Sequence, residues 1–176
     1  MNSTQENVIL VDENDAFIGV MEKLEAHQKG KLHRAFSVFV FNNKKELLLQ
    51  KRALTKYHSG GLWTNTSCSH QRLGETTLEA AHRRLQEEMG FDCDLSISFS
   101  FVYKTDFMNG LCEHEFDHVL IGHYDGAIAF NPEEVSDYKY MTLNDIQHDL
   151  DLYPEQYTYW FKIAFDTIVT QLKSHS

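Results

Sequence analysis

The sequence predicts an α/β fold, a sandwich of β-sheets flanked by helices. Apolar and polar residues alternate in segments such as His33–Phe41, which is the period of a β-strand. Within residues 76–89 and 155–172, apolar residues instead recur at the spacing of a helix with one apolar side. Strands and helices that follow one another along a chain are typical of α/β proteins.

The first half of the chain is expected to form a hairpin, a short helix and two long strands. Residues 8–11 and 17–21 flank a turn at 12–15 that is rich in Asp and Asn, whose side chains favour turns. A short helical piece containing His27 follows, and strands at 33–41 and 46–52 flank a turn at 42–45. Residues 57–69, rich in Gly and Ser, are predicted to be a loop.

The helix at 76–89 has the clearest boundaries. Thr76 or Thr77 can cap its first turn, and Gly90 ends it. Its apolar stripe is expected to contain Leu78, Ala81, Leu85 and Met89. Arg84, Glu87 and Glu88 fall largely outside this stripe, so the helix has a charged side.

Strands and helices are expected to alternate again in the second half. Residues 96–105 and 115–124 form a predicted hairpin around Asn109 and Gly110, and residues 138–142 form a shorter strand. Asn144 is the expected cap of one helix. A last helix at 155–172 is expected to present Trp160, Ile163, Ala164, Ile168 and Leu172 on its apolar side.

Length and composition indicate one soluble domain. A chain of 176 residues with 42% hydrophobic content can bury a sizeable core. The net charge of −10 disfavours binding to nucleic acid or to a membrane surface. The first residues lack a leader pattern, and the three cysteines form no even-numbered framework, so we expect a cytoplasmic protein with reduced thiols. The sequence leaves a monomer and a weak dimer both open.

Acids, imidazoles and one thiol are the candidates for chemistry. The adjacent Glu87 and Glu88 offer hard oxygen ligands suited to Mg²⁺, although a solvated helix face would look the same. Ten histidines are present, and most can be surface or core imidazoles. His27, His33, His70 and the pair Glu113 and Glu115 together would make a mixed site suited to Mn²⁺ or Mg²⁺ and tolerant of Zn²⁺. Glu113 and Glu115 occupy alternate strand positions, which places their side chains on one face.

The segment 69–90 resembles the Nudix box, a loop and helix whose carboxylates hold divalent metal against a diphosphate. The matching positions are Glu75, Arg83, Leu85, Glu87, Glu88 and Gly90. Two positions depart from the box. Ser69 stands where the box opens with Gly, and Arg84 stands where Nudix hydrolases carry a metal-binding Glu. Both departures point away from hydrolysis.

Further motifs extend the resemblance to one family. HRAFSVFVF, KRALTK, GLWTNTSCSH, Glu113-His114-Glu115 and Trp160 make residues 8–160 similar to type I isopentenyl-diphosphate isomerases of the Nudix superfamily. The resemblance implies a Nudix-type sandwich of mixed and antiparallel β-sheets with flanking helices. It implies one Nudix-like catalytic domain over residues 1–176, with an N-terminal hairpin extension and a C-terminal helix. The implied reaction interconverts isopentenyl diphosphate and dimethylallyl diphosphate, small-molecule substrates of isoprenoid biosynthesis.

Carried onto matching positions, the resemblance implies a role for each candidate residue. The ligands of one divalent metal, Mn²⁺ or Mg²⁺ with Zn²⁺ as a third candidate, would be His27, His33, His70, Glu113 and Glu115. The catalytic residues would be Cys68, Glu115 and Tyr103. A second Mg²⁺, bound to the substrate diphosphate, would be held by Glu88 and the Cys68 backbone. The substrate would contact Lys23, Arg52, Lys56, Arg84 and Trp160. The segment HSGG at 58–61 departs from an expected Trp-Pro-Gly-like stretch, which concerns loop geometry.

The residue types suit the implied reaction. Moving a double bond by one position requires a proton at one carbon and the loss of a proton from another, through a tertiary carbocation-like state. A carboxyl group such as Glu115, with a phenol beside it, and a thiol on the other face can exchange those protons. An aromatic face such as Trp160 can stabilise the cation. Two other functions are considered, a Nudix hydrolase of a nucleoside diphosphate derivative and a non-catalytic metabolite-binding domain.

Overall fold

The computed structural model describes residues 6–174, so the first five residues of the predicted domain and the last two lie outside the described residues. The strands are β1 (Asn7–Val11), β2 (Phe17–Glu22), β3 (His33–Phe41), β4 (Glu46–Arg52), β5 (Trp63–Thr64), β6 (Ser67–Ser69), β7 (Leu95–Asp106), β8 (Cys112–His123) and β9 (Val135–Thr142). The helices are α1 (Lys23–Lys29), α2 (Thr77–Met89), α3 (Leu143–Leu152) and α4 (Tyr159–Ser174), with a 3₁₀ turn at Pro154–Gln156 before α4.

β3 is the central strand. It pairs in parallel with β8 along its whole length, from His33 opposite Glu115 to Phe41 opposite His123. Its other edge pairs antiparallel with the short β6, and β1 and β4 contact its two ends. β7 and β8 form a long antiparallel hairpin, and β4 pairs with β9. The sheet is therefore mixed, as expected.

Helices cover both faces of this sheet. Phe36, Val38 and Val40 of β3 pack on the face covered by α2, whereas Phe39 and Phe41 pack on the face covered by α4. Alternate residues of one strand thus enter two different cores, which explains why residues 38–41 form a continuous apolar run instead of the expected alternation. The α/β sandwich is confirmed.

Several local predictions differ from the structure. The segment 57–69 contains β5 and β6, which pair with β4 and β3 and are too short to show alternation in sequence. The cap of α3 is Thr142, whose hydroxyl accepts from the Asp145 amide, and Asn144 lies inside the first turn. The last helix begins at Tyr159 instead of 155, because the extended Tyr157 separates it from the 3₁₀ turn. Leu78 and Leu172 are exposed instead of lying on the apolar sides of α2 and α4.

The α2 boundaries follow the local signals. The Thr76 hydroxyl accepts from the Glu79 amide, and the Glu79 carboxylate accepts from the Thr76 amide, so both ends of a capping box are present. Gly90 ends the helix with a left-handed φ of 73°. Both ends of α2 are therefore stabilised by local residues, Thr76 and Glu79 at the start and Gly90 at the end.

Gly90→Ala is expected to destabilise the protein by about 2–5 kcal/mol, combining left-handed strain of about 1–2 kcal/mol with overpacking. A Cβ at this position would lie 2.1 Å from the Ala129 carbonyl oxygen. Urea unfolding measures the free-energy change. Gly110→Ala is the matched control, since Gly110 has a φ of 80° but nothing within 4 Å of an added Cβ. Equal losses in the two variants would contradict a role for the contact with Ala129.

Candidate active site

The candidate residues meet because two strands flank β3. His33 of β3 lies opposite Glu115 of β8, and Ser37 of β3 lies opposite Cys68 of β6. Tyr103 of β7 lies opposite Glu115 on the other edge of β8. Residues from four separate parts of the chain therefore face one region of the sheet.

One pocket contains most of the predicted site. It is lined by Lys23, Arg52, Lys56, Cys68, His70, Arg84, Glu88, Tyr103, Glu113, Glu115 and Trp160, and also by Phe36, Ser37, Tyr57, His58, Ser69 and Asp117. His27 and His33 are fully buried beside this pocket. The thiol of Cys68 and the carboxyl of Glu115 thus share one cavity.

The imidazoles of His27 and His33 are oriented by backbone carbonyls. His27 Nδ1 donates to the Lys23 carbonyl at 2.6 Å, and His33 Nδ1 donates to the Lys31 carbonyl at 2.8 Å. A carbonyl only accepts, so each ring has a proton on Nδ1 and directs Nε2 into the cluster. His33 Nε2 is buried and has no hydrogen-bond partner among the described residues. An unsatisfied buried ring nitrogen of this kind fits a metal ligand.

Glu115 is the carboxylate at the centre of the cluster. Its Oε1 lies 3.0 Å from His70 Nε2 and 3.5 Å from His33 Nε2. Its Oε2 accepts from the Tyr103 hydroxyl at 2.6 Å. Burial opposes ionisation, but the two imidazoles outweigh burial and hold the pKa of Glu115 well below its usual range. For His70, burial dominates and lowers the pKa to about 4, so its ring is neutral at neutral pH.

Four of the five predicted metal ligands come together. One ligand atom from each of His27, His33, His70 and Glu115 lies within 4.8 Å of the others, and the mixture of imidazoles and a carboxylate suits Mn²⁺, Mg²⁺ or Zn²⁺. Glu113 belongs to a second group, formed with His27 and His58. Its Oε1 is 3.7 Å from His27 Nε2 and 2.8 Å from His58 Nε2.

The Cys68 thiol is protonated at neutral pH. Burial raises its pKa to about 12, opposed by the Arg52 guanidinium, whose Nη1 lies 3.8 Å from the sulfur. A basic pocket by itself would lower the pKa of this thiol. In the structure desolvation is the larger effect, and it raises the pKa.

Three of the four predicted substrate-binding cations are paired with acids. Lys23 Nζ lies 3.0 Å from Glu6, and Lys56 forms an ion pair with Glu134. Arg84 contacts three carboxylates, those of Glu87 at 2.7 Å, Glu88 at 3.0 Å and Glu134 at 3.2 Å. An entering anion therefore has to share or replace these contacts.

Arg52 differs from the other three cations. It is buried, and its described hydrogen bonds go to the Cys68 sulfur and, at 3.4 Å, to the His58 carbonyl. Its guanidinium carbon lies 5.3 Å from the Trp160 ring centroid. No carboxylate among the described residues forms an ion pair with Arg52, so it offers a buried positive charge to an anion.

The remaining predicted residues lie around the same cavity. Glu88 is buried, and its carboxylate accepts hydrogen bonds from Arg84 and from the Ser67 hydroxyl. Trp160 is also buried, and its indole nitrogen donates to the Asn65 side-chain oxygen at 3.2 Å. This bond fixes the ring between the pocket and the apolar core on the α4 side. Trp63 also packs against that core.

His58 and Asp117 are among the pocket residues that were not predicted as site residues from the sequence. His58 was treated only as part of a divergent loop, although it lies beside Glu113. Asp117 follows Glu113 and Glu115 at the next alternate position of β8, a periodicity that could have identified it. Its Oδ2 accepts from the Ser37 hydroxyl at 2.8 Å, and burial together with the Glu115 charge raises its pKa well above the usual range.

Comparison with known proteins shows which family and which proteins this chain is similar to. The NUDIX domain family model matches residues 31–161. The chain is 54% identical to an isopentenyl-diphosphate Delta-isomerase of Pectobacterium atrosepticum, over 92% of this chain and 90% of that protein. It is 51% identical to isopentenyl-diphosphate Delta-isomerase 2 of Aromatoleum aromaticum, over 94% of this chain and 88% of that protein.

Solved structures support the same fold. The Deinococcus radiodurans protein DR0079 aligns with a TM-score of 0.65 at 20% identity, over 87% of this chain and 100% of that chain. A MutT protein from Methanosarcina mazei aligns with a TM-score of 0.67 at 18% identity, over 81% of this chain and 96% of that chain. Within residues 6–174, no helix has the length and apolar content needed to span a bilayer.

Proposed function

The chain belongs to the isopentenyl-diphosphate Delta-isomerase family of NUDIX-domain proteins, and we propose that it interconverts its two substrates by moving protons between Cys68 and Glu115. The enzyme is an isomerase that converts isopentenyl diphosphate to dimethylallyl diphosphate and back. The observation that carries the residue assignment is the single pocket shared by the Cys68 thiol and the Glu115 carboxyl.

The proposed chemistry is a two-proton exchange across the substrate. One group adds a proton to the terminal methylene of isopentenyl diphosphate, which leaves a tertiary carbocation at the neighbouring carbon. The other group removes a proton from the adjacent CH₂, and the electron pair of that C–H bond forms the new double bond. No bond to the diphosphate is broken, and one proton enters for each proton that leaves.

The ionisation states support opposite roles for the two groups. The buried Cys68 thiol, with its pKa raised to about 12, carries a proton to give. Glu115, with its pKa held well below the usual range by His33 and His70 despite burial, is ionised and can receive one. In the reverse reaction, the protonated Glu115 carboxyl gives the proton and the Cys68 thiolate receives one. Tyr103 donates to Glu115 at 2.6 Å, so it stabilises the carboxylate form and orients its second oxygen.

We propose that His27, His33, His70 and Glu115, together with Glu113, hold one divalent metal, Mn²⁺ or Mg²⁺ with Zn²⁺ as a third candidate. The support is the close spacing of four of these ligand atoms and the unsatisfied Nε2 of His33. When bound, such an ion would fix the position of the Glu115 carboxylate and stabilise its ionised form.

The diphosphate is proposed to bind at Lys23, Arg52, Lys56 and Arg84. Arg52 is the strongest candidate for the first contact, since it has no described carboxylate partner. A second Mg²⁺, held by Glu88 and the Cys68 backbone, would neutralise part of the diphosphate charge. It would also offset repulsion from Glu134, which already contacts Lys56 and Arg84.

Trp160 is proposed to stabilise the carbocation through its ring face. Its ring lines the pocket and is held by Asn65, so it presents a fixed aromatic surface. A desolvated cation–π contact of about 2 kcal/mol corresponds to roughly a thirtyfold change in rate. Burial also excludes water, which would otherwise trap the cation.

The cellular setting follows from the thiols. We propose a cytoplasmic enzyme, because Cys68, Cys93 and Cys112 are all free thiols and a reducing compartment keeps them so.

The deuterium-exchange assay tests the proposed function. Metal-loaded protein is incubated with isopentenyl diphosphate in D₂O, and the product is analysed by mass spectrometry and NMR. We expect dimethylallyl diphosphate with deuterium in the methyl group derived from the terminal methylene. Absence of product together with phosphate release from nucleoside diphosphate derivatives would favour the hydrolase alternative. Tight diphosphate binding without turnover would favour a binding domain.

A further inference from the structure

His58 lies in the HSGG segment at residues 58–61, to which the family resemblance gives no role. Its ring is buried, and its Nε2 lies 2.8 Å from Glu113 Oε1. The proposed metal ligand His27 is farther from the same oxygen, at 3.7 Å. Glu113 is therefore held more closely by His58 than by any other imidazole recorded in contact with it.

The hydrogen bond has one possible direction. His58 Nε2 lies 2.8 Å from Glu113 Oε1, and a carboxylate oxygen only accepts hydrogen bonds. His58 Nε2 must then carry the proton and donate. Its Nδ1 lies 3.3 Å from the Ser59 hydroxyl, which can donate to it. His27 and His33 have the opposite arrangement, with Nδ1 bonded to a carbonyl.

The surrounding loop fixes the His58 ring. The ring stacks on Phe107 with centroids 4.9 Å apart and an interplanar angle of 14°. Its neighbour Ser59 has a left-handed φ of 53°, an unfavourable conformation for a residue with a side chain. A Cβ at Gly60 would lie 2.8 Å from the Leu54 carbonyl oxygen, so the loop closes tightly only with glycine there. The backbone is thus strained at the residue whose hydroxyl contacts His58.

We propose that His58 is a positioning residue, whose Nε2–H donates to Glu113 and fixes that carboxylate for metal binding. This inference rests on the proposed function in taking Glu113 as a ligand. The single hydroxyl proton of Tyr103 is shared between Glu115 at 2.6 Å and the other oxygen of Glu113 at 2.9 Å, so the Glu113 carboxylate has a partner on each side. Outer hydrogen-bond partners of metal ligands typically change metal affinity by about 10–100-fold when removed.

The test compares variants that separate the hydrogen bond from the ring packing. His58→Phe keeps an aromatic ring against Phe107 but removes the donor. His58→Gln keeps an N–H near the position of Nε2. Metal-free protein is titrated with Mn²⁺, and free Mn²⁺ is followed by its electron paramagnetic resonance signal. We expect His58→Phe to weaken Mn²⁺ binding about 10–100-fold and His58→Gln to restore most of the affinity.

His82→Phe is the matched control. His82 Nδ1 also contacts a carboxylate, that of Asp92 at 2.6 Å, but neither residue lines the pocket, so this variant should bind Mn²⁺ like the unmodified protein. If His58→Phe fails to fold, His58→Asn replaces it, because the shorter amide does not reach the Nε2 position. The proposal is overturned if His58→Phe, or His58→Asn in its place, binds Mn²⁺ as tightly as the unmodified protein. It is also overturned if that variant and His58→Gln lose the same amount of Mn²⁺ affinity. Because the readout is metal binding, it stays informative even if the isomerase assay fails.

Discussion

Cys68→Ala is expected to lower the isomerisation rate by about 10²–10⁴-fold, the range for loss of one proton-transfer group. Alanine removes the only thiol that lines the pocket, while β6 keeps its pairing with β3 because the backbone is unchanged. The substrate could still bind through Arg52 and the other cations, so KM should change much less than kcat. Initial rates of dimethylallyl diphosphate formation at several substrate concentrations separate the two constants.

Cys93→Ala provides the control for this variant. Cys93 is a half-buried free thiol that packs against the core on the α2 side, away from the residues that line the pocket. We expect its rate to stay within about twofold of the unmodified enzyme, since it contacts no reacting group. Near-normal turnover by the Cys68 variant would show that the thiol does not transfer a proton in the rate-limiting step.

Glu115→Gln is expected to reduce both metal content and turnover, with at least about a 10³-fold loss of rate from the combined effects. The substitution keeps the side-chain shape but replaces the carboxylate that contacts His33, His70 and Tyr103. A neutral amide is a poor ligand for a divalent ion and cannot exchange a proton near neutral pH. Inductively coupled plasma mass spectrometry measures the bound metal, and the deuterium assay measures turnover.

The control for Glu115 is the residue before it. His114 lies on the opposite face of β8, and its Nδ1 bonds the Gly30 carbonyl at 3.1 Å. His114→Ala should therefore retain bound metal and most of the activity. A Glu115→Gln enzyme with normal metal content and more than a tenth of normal turnover would contradict both roles given to this carboxylate.

Local signals predicted much of the fold. β3 and β4 were predicted to the residue, because their apolar patterns are bounded by turn-forming residues. α2 was predicted closely because Thr76 and Gly90 mark its ends within the helix sequence itself. The parallel pairing of β3 with β8 and the existence of β6 depend on contacts between distant parts of the chain. No local pattern encodes such contacts.

The site was harder to predict than the fold. The proposed ligands and the Cys68 and Glu115 pair came from family resemblance, since spacing alone does not bring these side chains together. His58 was missed because its role depends on a strained loop backbone. The ion pairs of Glu134 with Lys56 and Arg84 join three separate segments, so the charge balance of the pocket could not be read from net charge.

The central position of β3 has a consequence for refolding. Cys68 and Glu115 lie on strands that flank β3, and neither strand contacts the other through a recorded strand pairing. A partly folded chain in which only the β7–β8 hairpin has formed would hold Tyr103 beside Glu115 but would lack the thiol. When the denatured protein is diluted into buffer, isomerase activity should therefore return later than the β7–β8 hairpin forms. Activity should appear only when both β6 and β8 have paired with β3.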